Sequence, residues 1–343
     1  MNDTRNTNPD QQHVQSGGSL DTTANNDGAN DGIDRRNFLS CMAWAGTGLL
    51  WTMAGGVPTS KLFAATADTA AKMAAHSHAS SGFSFVQISD SHIGFNKAAN
   101  QDVTATLRVA LDKINKLPGT LDLMLHTGDV TQSSKAAEFD TAQQIIAGAK
   151  VGQTFYVPGE HDTSFDDGAR YRERYGKGTV GTGWYSFDHK GVHFVGLNNV
   201  QQLDGLGKLG PDQLNWLKQD LAPLSASTPI IIFAHIPLWM VYPEWGWGTS
   251  DGEQALSYLK RFGSVTVLNG HIHQVVQKVE GNVSFHTATS TAFPQPAPGT
   301  APNAGPMVVP AGKLKSVLGI AEVKYIAKNS HLAIIGSSLE GNA

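Results

Sequence analysis

The chain has 343 residues and a single cysteine, Cys41. An internal disulfide is therefore excluded, and any thiolate chemistry rests on that one position. Charge is also scarce. The 25 basic and 29 acidic residues make up 16% of the chain and leave a net charge of -4. No broad positive field exists to hold a phosphate backbone, so no nucleic-acid polymer is expected as a partner. Long apolar runs are missing too. The run from Cys41 to Val57 is diluted by Gly46, Gly48, Gly55 and Gly56, and it falls short of the ~20 residues a membrane span needs. Hydrophobic residues still form 40% of the chain, enough to bury one large core in a single domain of about 200–250 residues. Histidine is plentiful, with 13 in all.

Residues 1–33 are rich in Asn, Asp, Gly and Thr, too apolar-poor to offset the entropy of ordering, and are expected to be a disordered polar leader. Asp34-Arg35-Arg36-Asn37-Phe38-Leu39 then precedes the apolar run, and small residues such as Ala65-Thr66-Ala67 follow it. A charged start, an apolar centre and a small-residue cleavage site describe a signal peptide over 34–67. The paired arginines before Phe-Leu resemble a twin-arginine (Tat) signal. That resemblance implies the Tat export machinery as a partner, a bacterial periplasmic or secreted location, and no stable membrane association after cleavage. Cys41 would leave with the signal, so a metal site in the mature protein must use histidines and carboxylates. Residues 68–81, with His76 and His78, are expected to be a solvated linker, and 82–343 the domain.

From Phe83 onward, strand-like and helical segments alternate. Phe83 to Ser89, Leu121 to His126, Gln153 to Val157, Pro229 to Ala234 and Val265 to Leu268 are apolar strand patterns. Helices are expected from a cap at Asn100 to Leu117, from Ser134 to Ala149, from Pro211 through Leu214, Leu217 and Leu221, and from Glu253 to Phe262. Trp184 to Asp188 and Val192 to Leu197 flank a hairpin turn, and late strand pairs close the chain after a proline-rich stretch, Pro294 to Pro310. This alternation argues for an α/β fold with ligands at strand C-terminal ends.

Each of the five strands runs into a polar knot. In order these are Asp90-Ser91-His92, Gly128-Asp129, Pro158-Gly159-Glu160-His161-Asp162, His235, and Gly270-His271-Ile272-His273. One carboxylate and one imidazole two residues apart can both reach a metal if the chain turns there, and the imidazole pair suits zinc, iron or manganese. In order and spacing the knots resemble the calcineurin-like metallophosphoesterases, with their Asp-x-His, Gly-Asp, Gly-Asn-His-Asp, His and Gly-His-x-His blocks.

The resemblance covers Phe83 to His286. It implies a four-layer αββα sandwich of two mixed β-sheets flanked by helices, and two metal ions at one edge. Asp90, His92 and His273 would hold the first ion, Asp129 would bridge, and Glu160, His235 and His271 would hold the second. His161 would contact the phosphate and protonate the leaving oxygen, with Asp162 hydrogen-bonded to it. Ions about 3.5–4 Å apart would bind a hydroxide for in-line attack on a small phosphodiester or phosphomonoester. The alternative is a non-catalytic metal or phosphate-ligand binding protein. Val130, Thr131 and Gln132 follow Asp129 without a tyrosine, so a purple, tyrosine-liganded iron is not expected.

Glu160 departs from the family block, where a neutral Asn is usual. An ionised glutamate would cancel the net positive charge that two divalent ions otherwise offer a phosphate, which favours a diester monoanion or an Fe(III)/M(II) pair. Three of the seven tryptophans, Trp239, Trp245 and Trp247, crowd the loop after His235 with Tyr242. They fit either a lid or a stacking surface for a base or an aryl group.

Overall fold

The computed structural model describes residues 48–54, 57–63, 82–201, 203, 205–326 and 332–341. The polar leader, the paired arginines and the linker lie outside the described residues. Within the expected signal segment, β1 (Gly48–Ala54) and β2 (Val57–Phe63) pair as an antiparallel ribbon. Among the described residues no helix is long and apolar enough to cross a membrane.

From residue 82 two mixed sheets form. The first takes β3 (Phe83–Ile88), β4 (Leu121–His126), β5 (Val151–Tyr156), β12 (Gly319–Tyr325) and β13 (Leu332–Ser338), in the order β13-β12-β3-β4-β5. Strands β3, β4 and β5 run parallel, while β12 is antiparallel to both its neighbours. The second takes β6 (Tyr185–His189), β7 (Val192–Gly196), β8 (Ile230–Phe233), β9 (Val265–Asn269), β10 (Gln277–Glu280) and β11 (Val283–Thr287). Its order is β10-β11-β9-β8-β7-β6, parallel from β11 to β7 and antiparallel at both ends.

Side-chain alternation along the strands explains the layering, because successive residues of a strand face opposite sides of its sheet. Phe85, Leu123, Leu125, Phe194, Ile231 and Phe233 pack into one cluster between the sheets. Their strand neighbours Val86 and Met124 face a second cluster with α1 (Val103–Ile114) and α2 (Ala136–Ile146). Val195, Ile230 and Ile232 face a third, against Leu214, Leu217 and Leu221 of α5 (Pro211–Leu221) and Ala255 and Leu259 of α6 (Gly252–Leu259). The short helices α3 (Glu160–Thr163) and α4 (Ala169–Tyr175) follow β5, and α7 (Leu314–Val317) precedes β12. The result is the expected αββα sandwich, helices outside and two sheets face to face.

Two local expectations change. Asp102, not Asn100, caps α1, its Oδ1 accepting from Ala105 N at 3.0 Å. Asn100 is buried and spends its side-chain amide on the Ala292 carbonyl at 2.6 Å and Thr106 Oγ1 at 3.1 Å. Helix α2 begins later than Ser134, because Ser134 has φ 52°, outside the helical region. The turn between β6 and β7 is Lys190-Gly191, with φ 47° and 82°, the positive pair a two-residue hairpin requires.

Candidate metal centre

Parallel strands β3, β4 and β5 in one sheet, and β8 and β9 in the other, deliver their C-terminal loops to one edge of the sandwich. There the backbone turns sharply. Asp90, His92, Asp129, His271 and His273 have φ of 55°, 42°, 51°, 69° and 54°. Left-handed conformations in residues with a Cβ cost about 1–3 kcal/mol each and persist where surrounding bonds enforce them. Here Asp90 N donates to the Gly128 carbonyl at 3.0 Å, His92 N to the Asp129 carbonyl at 2.9 Å and Gly270 N to the His235 carbonyl at 2.9 Å. Gly128 matters for space as well: it has φ 94°, and a Cβ on it would collide with the His235 ring.

The turns bring the predicted residues together. Asp90, His92 and His273 form one group of potential ligand atoms, and Glu160, His235 and His271 another. Asp129 lies between them, its Oδ2 3.5 Å from His92 Nε2 and 3.4 Å from His235 Nε2. His273 Nε2 is 3.3 Å from Asp90 Oδ1 and 3.2 Å from His92 Nε2. Glu160 reaches His235 Nε2 with Oε2 and His271 Nδ1 with Oε1, both at 3.0 Å. Asp90, His92, Asp129, His235 and His273 are all buried.

This donor set fits metal ions. His235 Nδ1 donates to the Thr127 carbonyl at 2.7 Å, and His273 Nδ1 donates to the Phe293 carbonyl. In the neutral ring that leaves each Nε2 as a lone pair, aimed at carboxylate oxygens or another imidazole nitrogen. Buried acceptors facing acceptors repel unless a proton or a metal cation lies between them, and backbone bonds of this kind orient metal-binding imidazoles.

The charges tell the same story. Burial pushes Asp90 up, but His273, with His235 and His92, holds it below the usual carboxylate range. Glu160 is likewise pushed up by burial and held well below its usual value by His271 and His235. Burial works downward on His235 and is overcome by Asp129 and Glu160, which raise it well above an ordinary histidine. His92, dominated by burial, falls to about 3. The carboxylates are thus held ionised beside the imidazoles, and positive charge is favoured at His235 though not at His92.

His161 sits beside this cluster. Its backbone N donates to Asp129 Oδ1 at 2.9 Å and its Nδ1 to the Gln132 carbonyl at 2.8 Å. Its ring packs edge-on to His92 at 4.9 Å. Asp129 and Glu160 raise its pKa against the effect of burial.

Asp162 is a correction. It does not serve His161, whose Nδ1 is taken by Gln132. Its Oδ2 accepts from Gly159 N and Val130 N, both at 3.0 Å, and its Oδ1 from Thr131 N at 2.8 Å and Thr131 Oγ1 at 2.9 Å. Those donors lie in the loops after β4 and β5, and Asp162 ties the two loops together.

Other histidines take bonds away from the site or behind it. His126 is buried with Nε2 2.7 Å from Ser91 Oγ, His189 contacts Asp122 at 2.8 Å, and His193 lies between Asp188 and Asp220. Trp239 is core, packed on Phe285. Trp245 and Trp247 instead line a cavity of about 370 Å³ that opens onto His92, Asp129, Glu160, His161 and His271. Sequence reasoning missed Lys97, Gln132, Phe293 and Gln295, which line the same cavity. Gln132 follows Asp129 by three residues, which is a usable hint; the other three carry no periodic or motif signal.

A fold of this kind with this edge defines a metallophosphoesterase, and the comparisons agree. Residues 83–275 match the calcineurin-like phosphoesterase family model, and the chain belongs to that family. It is a metal-dependent phosphoester hydrolase. It is 26% identical over 216 residues, covering 62% of this chain and 87% of the relative, to a probable cyclic nucleotide phosphodiesterase of Vesicomyosocius okutanii. It is 24% identical over 222 residues, covering 61% and 79%, to a 3',5'-cyclic-nucleotide phosphodiesterase of Nostoc sp.. In fold it is similar to a dimetal phosphatase from Danio rerio, with TM-score 0.54 and 14% identity over 75% of this chain and 96% of that one.

Proposed function

We propose that this chain is an exported two-metal phosphodiesterase acting on a small phosphodiester, with 3',5'-cyclic nucleotides the leading candidates. The observation that carries the reading is the pair of ligand groups, Asp90/His92/His273 and Glu160/His235/His271, on either side of Asp129. Manganese, iron and zinc all suit such nitrogen and carboxylate sets. Two ions in those groups would supply Lewis-acid charge and lower the pKa of a bound water. Asp129 would bridge them, and it also holds the His161 backbone through the bond at 2.9 Å. With Nδ1 committed to Gln132, His161 presents Nε2 as the atom that holds the proton for the leaving oxygen. The cyclic-nucleotide assignment draws on the similarity to the Vesicomyosocius okutanii and Nostoc sp. proteins, each named as a cyclic nucleotide phosphodiesterase. The paired arginines ahead of the apolar run support export through the Tat machinery to the periplasm or beyond.

Glu160 supports the diester over the monoester. Its ionised carboxylate faces both His235 and His271, so the second group is anionic where a neutral side chain is usual. Less positive charge remains for a phosphate dianion than for a monoanion.

The test compares kcat/KM for bis-p-nitrophenyl phosphate, p-nitrophenyl phosphate and 3',5'-cyclic AMP with metal analysis on the same sample. Metal-stimulated diester hydrolysis that Asp129→Asn lowers by at least about 100-fold is expected. Glu160→Asn should shift the ratio toward the monoester. A protein that binds metal but hydrolyses none of the three would instead be the non-catalytic binding protein.

A further inference from the structure

The cavity beside the metal edge has a second wall that phosphate chemistry does not use. Trp245 and Pro306 supply apolar surface there, backed by the buried rings of Phe95, Phe293 and Trp247, and Phe293 packs on His92 and His273 at 4.7 Å. Trp245 is only half-buried, while Trp247 is fully buried and meets it edge-on at 5.2 Å. Tyr242 and Trp245 also meet edge-on, at 5.1 Å.

The segment is braced. Trp247 N donates to the Tyr242 carbonyl at 3.1 Å, and Val241 N and Tyr242 N donate to the Trp247 carbonyl at 2.8 and 3.1 Å. Gly246 turns the chain at φ 75°. Gly207 clasps the far end, donating to Gly248 and accepting from Ser250 N. The facing loop is fastened too: Gln274 Nε2 donates to the Pro296 carbonyl at 3.0 Å and Met307 N to the Pro294 carbonyl at 2.9 Å. A wall held this way is a preformed surface and not a lid, and preformed surfaces bind without an ordering cost. Two buried amide oxygens on the lining, Gln132 Oε1 and Gln295 Oε1, have no hydrogen-bond partner.

We infer that the Trp245 wall, together with the 294–310 loop, is a subsite for the planar base of a nucleotide whose phosphate lies on the metal edge. This assignment rests on the phosphodiester reading above and names the group attached to that phosphate. A cavity of about 370 Å³ falls in the range of small-ligand sites, about 300–1,000 Å³.

The test is calorimetric binding of AMP and of ribose 5-phosphate to the metal-loaded protein, with 3',5'-cyclic AMP hydrolysis measured in parallel. Wild type should bind AMP at least roughly 10-fold more tightly, the worth of one base on an aromatic face. Trp245→Ala should bring the ratio close to one, and Trp245→Phe should retain most of it. Equal affinities in wild type, or an AMP preference that Trp245→Ala leaves intact, would overturn the subsite. The wild-type comparison stands alone if Trp245→Ala does not fold. An AMP preference without cyclic AMP hydrolysis would support the subsite and reject the proposed substrate.

Discussion

Replacing Asp162 with Asn separates its two possible roles. The carboxylate takes four hydrogen bonds, two on each oxygen. An asparagine keeps one oxygen, so two donors keep an acceptor and two face an NH₂ group. Bonds to a charged acceptor contribute about 1.5–3 kcal/mol each, so losing two costs roughly 3–6 kcal/mol. Burial and then the nearby Asp129 carboxylate push Asp162 up to about 7, so removing its charge recovers part of that cost. A net destabilisation near the low end, about 3 kcal/mol, is expected. At roughly 2–4 °C per kcal/mol, Tm should fall by about 6–12 °C. Calorimetry on chelated and metal-reloaded samples, with metal analysis, would measure it. Metal content should fall as well, because the braced loops carry Asp129 and Glu160. A Tm unchanged within about 2 °C, accompanied by a shifted pH profile of kcat/KM, would refute this reasoning and restore Asp162 as the partner of His161.

Two further outcomes follow from close packing and charge. Gly159→Ala should abolish metal retention in a folded chain, because a Cβ there would overlap the carboxylate and backbone N of Asp129; full metal occupancy would contradict that. His193 lies between Asp188 at 2.8 Å and Asp220 at 2.9 Å, and these carboxylates raise its pKa against burial. A raised folded-state pKa means stability that is fully present below the unfolded value near 6.5 and lost as pH rises through the folded value. Denaturant unfolding from pH 6 to 9 should show that decline in wild type and a flatter profile in His193→Gln, and identical slopes would count against it.

The grouping of the candidate site was largely legible in the sequence because its candidate ligand residues are local: a strand ends, the chain turns, and residues two apart come to one edge. Asp90 with His92, and His271 with His273, declare themselves this way, as do the alternating strands that set the two sheets. The role of Asp162 was hidden because three of its four donors, on Val130 and Thr131, lie about 30 residues away, and no spacing rule links them. The cap of α1 was misplaced since Asn100 and Asp102 are both good caps, and only burial of Asn100 against Ala292 decides between them. Among the tryptophans, sequence could not separate Trp239, which fills the core, from Trp245, which faces a cavity walled by residues some 50 positions later.

The most direct test of the two-metal account is a titration of the metal-stripped protein with Mn²⁺, following bis-p-nitrophenyl phosphate hydrolysis against ions bound per chain. The account predicts that activity rises to a plateau at two bound ions and that His273→Ala and His235→Ala each reduce the stoichiometry to about one. Full activity with a single bound ion, or full activity in the presence of excess chelator, would contradict it.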